Sequence, residues 1–446
     1  MNKYLISPLL LTLFLQGCGG GSSSSPEAPV DPVEYTFSLT AQLTNECGVA
    51  SAYTDVELLL QDDTWQTLNT YKADDSGVIS FVTTSEFINY TLVAKDQQGS
   101  EAQGLNVVSF YQASSATPSH YRARFDERLD ELNKSCECVT KNLELSHRKF
   151  SKQTNVISSS SFSSWEAIDN KTTLLNDVTV CRVLDSDWSP QSFLVLGENS
   201  EQQTIAAGDF KKDFSSDVWS LLASEVEETV LLDTPHQAFT TNQIILNQKH
   251  FPIVVAEDDT SFPNISEHIF DTENFYQTQA SLTFDEVDSV VRSSVITTKS
   301  QIISTEAKES FSVKVNEQRP PIDDVRISEI KADGNYDYSG VVGFPMAVIS
   351  YTFITFEPTT KLLMPAKWTF YGPEKGRLAI SAPLKGYGNI IDSSTKKSAI
   401  DVQLVKSKMN DNYQDYIKYY QGNSSVDMSN DFVKNIDEVI LNIKIN

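Results

Sequence analysis

The sequence predicts a mainly β protein: a small N-terminal antiparallel β-sandwich, then one or two larger antiparallel β domains with few short helices. Two observations carry that prediction. Apolar and polar residues alternate in short runs such as Tyr35-Thr-Phe-Ser-Leu39, Phe311-Ser-Val-Lys-Val315, Ile349-Ser-Tyr-Thr-Phe353 and Leu441-Asn-Ile-Lys-Ile445. A period of two is what a half-buried strand requires. Turn chemistry separates such runs, at Asp74-Asp-Ser-Gly77, Asp96-Gln-Gln-Gly99, Asp333-Gly334, Glu357-Pro358 and Gly372-Pro373. With 446 residues, 40% of them hydrophobic, the chain can bury a core over two or three domains. No fixed-period repeat marks a propeller.

The elements follow in chain order. Residues 1–17 read as an export signal: Lys3 supplies the positive start, and Tyr4 to Leu15 is a mostly apolar stretch. That stretch falls short of the roughly 20 residues a membrane-crossing helix needs. Leu15-Gln16-Gly17-Cys18 follows directly. These four residues resemble the lipobox of bacterial lipoproteins, with Gln16 standing where the family prefers a small residue. The resemblance implies cleavage before Cys18 and acylation of that cysteine, and Gly19 in place of aspartate implies forwarding to the outer membrane. The expected location is therefore the bacterial cell envelope, with the membrane as a partner through lipid at Cys18. Residues 18–34, rich in Gly and Ser and carrying Pro26, Pro29 and Pro32, read as a flexible-to-extended tether.

Residues 35–115 form the expected sandwich. Ala73-Asp-Asp-Ser-Gly77-Val-Ile-Ser-Phe81, then Tyr90-Thr-Leu-Val-Ala94 and Gly99, resemble the carboxypeptidase-regulatory-like (transthyretin-like) family. That resemblance implies a spacer or adhesion module with no catalytic residues to carry over.

Residues 116–140 read as a connector. Tyr121, Phe125, Leu129 and Leu132 fall at helical spacing, while Tyr121, Ala123 and Phe125 also alternate with Arg122 and Arg124. The connector ends in Cys136-Glu-Cys138. Besides Cys18 the chain holds Cys47, Cys136, Cys138 and Cys181, an even number, which in an exported protein reads as two disulfides. If Cys-Glu-Cys is extended, Cys136 and Cys138 lie on one face at the limit of bridging distance. The expectation is one bridge from Cys47 and one from Cys181, each ending at Cys136 or Cys138. Residues 141–446 read as β-rich with unassigned topology, a break near Pro320-Pro321, and a helix whose face carries Tyr413, Tyr416, Tyr419 and Tyr420.

The formal charge is −25, which repels nucleic acid and anionic headgroups; no nucleic-acid partner and no cofactor are expected. No Gly-x-Ser-x-Gly, His-Glu-x-x-His or phosphate-cradling glycine loop occurs, and His120, His147, His236, His250 and His268 are scattered. The Ser-x-x-Lys spacings at Ser328, Ser393 and Ser394 lack their companion motifs. Asp333, Asn335, Asp337 and Ser339 resemble the first half of a calcium loop. Tyr338 stands where the loop needs glycine, and Phe344 takes the place of the bidentate acid, so a hairpin turn followed by a strand is the preferred reading. The function expected is that of a membrane-anchored, non-enzymatic binding, structural or adhesion module facing a protein or glycan. The alternatives are a hydrolase of envelope or extracellular polymer with its site in 141–446, and a carrier of an apolar ligand.

Overall fold

A computed structural model describes residues 32–98, 103–202, 204–212, 217–225, 228–233, 238–246, 249–253, 261–264, 273–284, 291–303, 310–312, 334–392, 394–407, 412–422 and 436–445. Cys18, the tether up to Asp31, Asp333 and the break near Pro320-Pro321 lie outside them.

The described chain is mainly β. Its first part holds β1 (Tyr35–Thr44), β2 (Ala50–Ala52), β3 (Val56–Gln61), β4 (Thr67–Lys72), β5 (Val78–Thr83), β6 (Phe87–Gln98), β7 (Gln103–Ser114) and β8 (Ser119–Ala123). The short α1 (Leu129–Asn133) leads to β9 (Cys136–Ser146), β10 (Lys152–Ser158), β11 (Ser164–Asp169), β12 (Thr172–Val183) and β13 (Gln191–Glu198). Next come β14 (Thr204–Lys212), β15 (Val218–Ser220), β16 (Leu222–Glu225), β17 (Glu228–Asp233), β18 (Ala238–Leu246), β19 (Lys249–Ile253) and β20 (Ser261–Asn264). The last part holds β21 (Glu273–Phe284), β22 (Val291–Ile303), β23 (Ser310–Ser312), β24 (Asn335–Asp337), β25 (Met346–Phe356), β26 (Leu363–Pro373), β27 (Lys375–Arg377), β28 (Lys397–Ser407), α2 (Tyr413–Gly422) and β29 (Ile436–Ile445).

In β1 the alternation is literal: Phe37, Leu39, Ala41 and Leu43 are buried between outward polar residues. β1 pairs with β2 and β5 antiparallel and with β8 in parallel. This small sheet packs its apolar face on Leu58, Tyr90, Leu92 and Phe110 of β3, β6 and β7, closing the N-terminal sandwich. The β4–β5 turn is fixed by Asp74, whose Oδ1 accepts from Ser76 N, Ser76 Oγ and Val78 N at 2.9, 2.6 and 2.9 Å. Gly77 there has φ +76°, and a Cβ would collide with the Ala41 carbonyl.

Of the two spacings in the connector, residues 119–123 follow the alternating one, as a strand that buries Tyr121 and Ala123 against β1. The sheet of the sandwich continues into later strands. β7 pairs in parallel with β26, from Leu105 opposite Ala366 to Phe110 opposite Tyr371. One sheet of twelve strands results, in the order β19-β18-β21-β22-β29-β28-β25-β26-β7-β6-β3-β4.

A buried polar relay crosses this seam. Trp368 Nε1 donates to Ser109 Oγ at 2.8 Å, and Ser109 meets Thr91 Oγ1 at 2.7 Å. Thr91 donates to Gln61 Oε1 at 2.6 Å, and Gln61 Nε2 donates to the Trp65 carbonyl at 2.9 Å. All four bonds can run in one direction, so each polarises the next. On the same face lies an apolar core of Trp368, Phe370, Ile349, Tyr351, Val402 and Leu441, covered by Tyr338, Phe344, Leu378 and Ile391. The tyrosine helix forms as expected: α2 buries Tyr416, Ile417 and Tyr419 against the sandwich core. Tyr413 Oη donates to the Tyr111 carbonyl at 2.6 Å.

Candidate functional site

Three places are marked by their chemistry. The first is the cysteine cluster. Cys47 bonds Cys136 and Cys138 bonds Cys181, so each bridge ends in the Cys-x-Cys run as expected. The register of β12 on β9 sets Cys181 directly opposite Cys138, with Cα atoms 4.1 Å apart. The first bridge ties the β1–β2 loop to β9, stapling the N-terminal sandwich to the sheet that β9 forms with β12. Glu46 Oε2 lies 3.7 Å from Cys138 Sγ, yet Cys138 and Cys181 are bonded to each other and offer no thiolate to a metal. A cleft of about 600 Å³ opens beside this bridge, lined by Glu46, Ser159, Ser160, Ser161, Thr179 and Gln191, among others. Its polar groups are largely committed to one another. Gln191 Oε1 accepts from the hydroxyls of Ser159 and Ser160, and its Nε2 donates to the Ser189 carbonyl.

The second is the calcium-like run. Asn335 and Asp337 lie in β24, opposite Arg377 and Lys375 of β27. Asp337 Oδ1 accepts from both the backbone N–H and the hydroxyl of Ser339, 2.9 and 2.5 Å away. Its carboxylate closes a local turn after a strand, and Asp333 lies outside the described residues.

The third has no counterpart in the sequence reading. It is a polar strip on the face of the long sheet opposite the Trp368 core, starting where β8 ends. A bulge in β6 between Ala94 and Gln97 breaks the alternation and turns the Asp96 carboxylate inward, fully buried. Asp96 Oδ2 accepts from Tyr121 Oη at 2.8 Å and from Arg124 N at 2.9 Å. Asn106 Nδ2 in turn donates to Tyr121 Oη at 2.7 Å. Asp96 Oδ1 and the buried Tyr53 hydroxyl have no hydrogen-bond partner among the described residues. Burial holds the Asp96 carboxyl above its usual range, against the opposing pull of its hydrogen bonds and of Arg124. Burial, reinforced by the Asp96 charge, raises Tyr53 and Tyr121 as well.

Register carries the strip onward. Asn106 of β7 is level with Lys367 of β26, which is level with Thr352 of β25. One pleat along, Thr369, Ser350 and Asp401 stand level on β26, β25 and β28. Ser350 Oγ and Thr369 Oγ1 are 3.0 Å apart. Lys367 and Asp401 are both half-buried, and neither side chain makes a hydrogen bond or ion pair with a described residue. Desolvation lowers the Lys367 ammonium, aided by the Arg124 charge and opposed by Asp401. Desolvation raises the Asp401 carboxyl, opposed by Lys367. Two opposite charges thus stand within each other's field, partly stripped of water, without touching. Such an arrangement can hold a charged ligand.

The histidines gather no site among the described residues. His147 is buried, with Nδ1 2.8 Å from the Arg148 carbonyl and Nε2 2.9 Å from Thr173 Oγ1, stacked on Phe150. His120 lies exposed on β8. No protein-family model, curated protein or solved structure matches this chain.

Proposed function

We propose that this chain is a lipid-anchored protein of the bacterial cell envelope, probing its surroundings by binding rather than by catalysis. The observation that carries the reading is the run Leu15-Gln16-Gly17-Cys18 followed by a Gly/Ser/Pro segment that leads straight into β1. A cysteine bearing two or more acyl chains holds a protein stably at a membrane, because each buried methylene adds about 0.8 kcal/mol. Two bridges and a twelve-stranded sheet suit an exported binding platform held off the bilayer by a tether. The transthyretin-like resemblance of residues 73–99 fits a spacer at its base. The outer membrane is the proposed address, and the polar strip is the proposed binding face.

Metabolic labelling with a radiolabelled fatty acid tests this reading. The wild-type chain incorporates label and sediments with membranes, whereas Cys18→Ala does neither and stays soluble in the envelope. An unlabelled wild-type chain, or a membrane-bound Cys18→Ala, rejects the anchor. Protease shaving of intact cells, with a periplasmic protein as control, then assigns the side it faces.

A further inference from the structure

We infer that the strip between Lys367 and Asp401 is a binding site for a small zwitterion of the α-amino-acid class, its carboxylate held by Lys367 beside Arg124 and its ammonium held by Asp401. The inference deepens the binding reading above and rests on it.

The sheet itself supplies the spacing. Lys367 and Asp401 sit on strands separated by β25 and are offset by one pleat, through Thr352 level with Lys367 and Ser350 level with Asp401. Strands about 4.8 Å apart and a rise of about 3.4 Å per residue place their Cα atoms about 12 Å apart. A lysine chain and a short aspartate chain close part of that distance and leave the charged ends unbonded to any described residue. Two charge-assisted hydrogen bonds of about 2.8 Å each, with the small head of an amino acid between them, span such a gap. Level with Asp401 the floor carries Thr369 and Ser350, whose hydroxyls bond each other at 3.0 Å and leave one O–H to turn to a ligand oxygen.

Charge selects the class. An anion alone would satisfy Lys367 and Arg124 and leave Asp401 opposed, and a cation alone would do the reverse. A ligand carrying both charges relieves both half-buried groups at once, which is where a charge in a partly dry site gains most. The Arg124 charge acts on Lys367 at the anion end, and the Arg124 backbone N–H donates to Asp96. The buried Asp96–Tyr121–Asn106 relay therefore acts as a positioning group for that end, and Asn106 stands level with Lys367.

The test is calorimetric titration and thermal shift on the detergent-solubilised full chain. The probes are glycine, alanine and larger amino acids, with acetate, ethylamine and O-phosphoethanolamine as controls. At least one amino acid should bind saturably while acetate and ethylamine at equal concentration do not. Lys367→Met and Asp401→Asn should each weaken that binding tenfold or more, with Lys367→Arg retaining most of it. The wild-type panel decides the matter even where a variant folds poorly. Absence of binding by every amino acid overturns the inference, as does a preference for O-phosphoethanolamine over all of them. Strong ligand-free coupling between Lys367→Met and Asp401→Asn in a stability cycle also overturns it, because the two groups would then be each other's partner. Fatty-acid labelling of Cys18 reads the anchor separately, so a blank panel on a labelled protein rejects the site and leaves the anchored reading standing.

Discussion

Asp96→Asn tests the polar strip at its buried end. In the native chain Asp96 is fully buried, accepts from Tyr121 and Arg124, and leaves Oδ1 without a partner among the described residues. Its carboxyl titrates above the usual range, chiefly through burial. A carboxyl with a raised native pKa binds more protons folded than unfolded over the interval between the two values. Its contribution to stability is therefore full below the unfolded value, about 3.9, and is lost as pH rises through the native value. The loss amounts to about 1.4 kcal/mol for each unit of difference. Asparagine removes this titration but keeps an oxygen for Tyr121 and Arg124, and its amide takes the place of the unpartnered oxygen. Asp62, Asp74, Asp126, Asp169, Glu357 and Asp392 all titrate below their usual range and give the opposite slope in acid. The quantity to read is thus the difference between wild type and Asp96→Asn in denaturant midpoint, taken from pH 4 to pH 9. That difference should grow in favour of asparagine as pH rises, then level off. Asp96→Ala strands both donors, each worth about 1–3 kcal/mol, and should fall below asparagine by about 2–6 kcal/mol at every pH. Parallel wild-type and Asp96→Asn curves across the whole range would refute the reasoning, since no buried proton would then distinguish the two.

Two further outcomes bear on how the chain is tied together. Gly104 stands where β7 meets β26, and a Cβ there would run into the Pro365 carbonyl. Gly104→Ala should cost about 3 kcal/mol, read as a lowered Tm. Gly388→Ala, with nothing near its added methyl, should leave Tm unchanged, and equal Tm values for the two variants would remove the seam's claim to close packing. For the staples, non-reducing peptide mapping should return Cys47 with Cys136 and Cys138 with Cys181. The loops they close span 89 and 43 residues, so each removal should cost up to about 4 kcal/mol; a Cys47–Cys138 peptide would mean that β12 sits on β9 in another register.

The mainly β class, the tyrosine helix and the Cys-x-Cys termini of both bridges were legible because each rests on local periodicity. Two residues of spacing put Cys136 and Cys138 on one side of a strand whatever that strand pairs with. Which of them meets Cys181 was not legible, since that depends on the register of β12 against β9, set by Leu143, Leu145, Leu175 and Val180 packing with Phe193 and Val195. The twelve-stranded sheet was hidden for the same reason at larger scale. Alternation in Leu105-Asn-Val107 and in Ala366-Lys-Trp-Thr-Phe370 says that each strand buries one face, and it is silent about the partner. The relay from Trp368 through Ser109 and Thr91 to Gln61 gives β7 and β26 a reason to choose each other. Nothing local marks it, because serine, threonine and glutamine are common on exposed strand faces.

The same limit explains why the polar strip is not legible in the sequence while the calcium-like run is. Asp333 to Ser339 places oxygen-bearing residues two apart in the chain, and that proximity is visible without a fold, but Asp337 spends its carboxylate on Ser339. Lys367 and Asp401 stand 34 positions apart in the chain, each in an ordinary alternating run that assigns it to a solvated face. Two facts of the fold give them chemistry. The pairings of β25 with β26 and β28 put both outward faces on one side, and the edge beyond β8 brings Arg124 within electrostatic range of Lys367. A charge on a strand gains chemistry when it is partly desolvated and its neighbours leave it unpaired. Lys367 and Asp401 meet that condition among the described residues, on the face where the Asp96 bulge of β6 and the pairing of β7 with β26 bring distant segments of chain together.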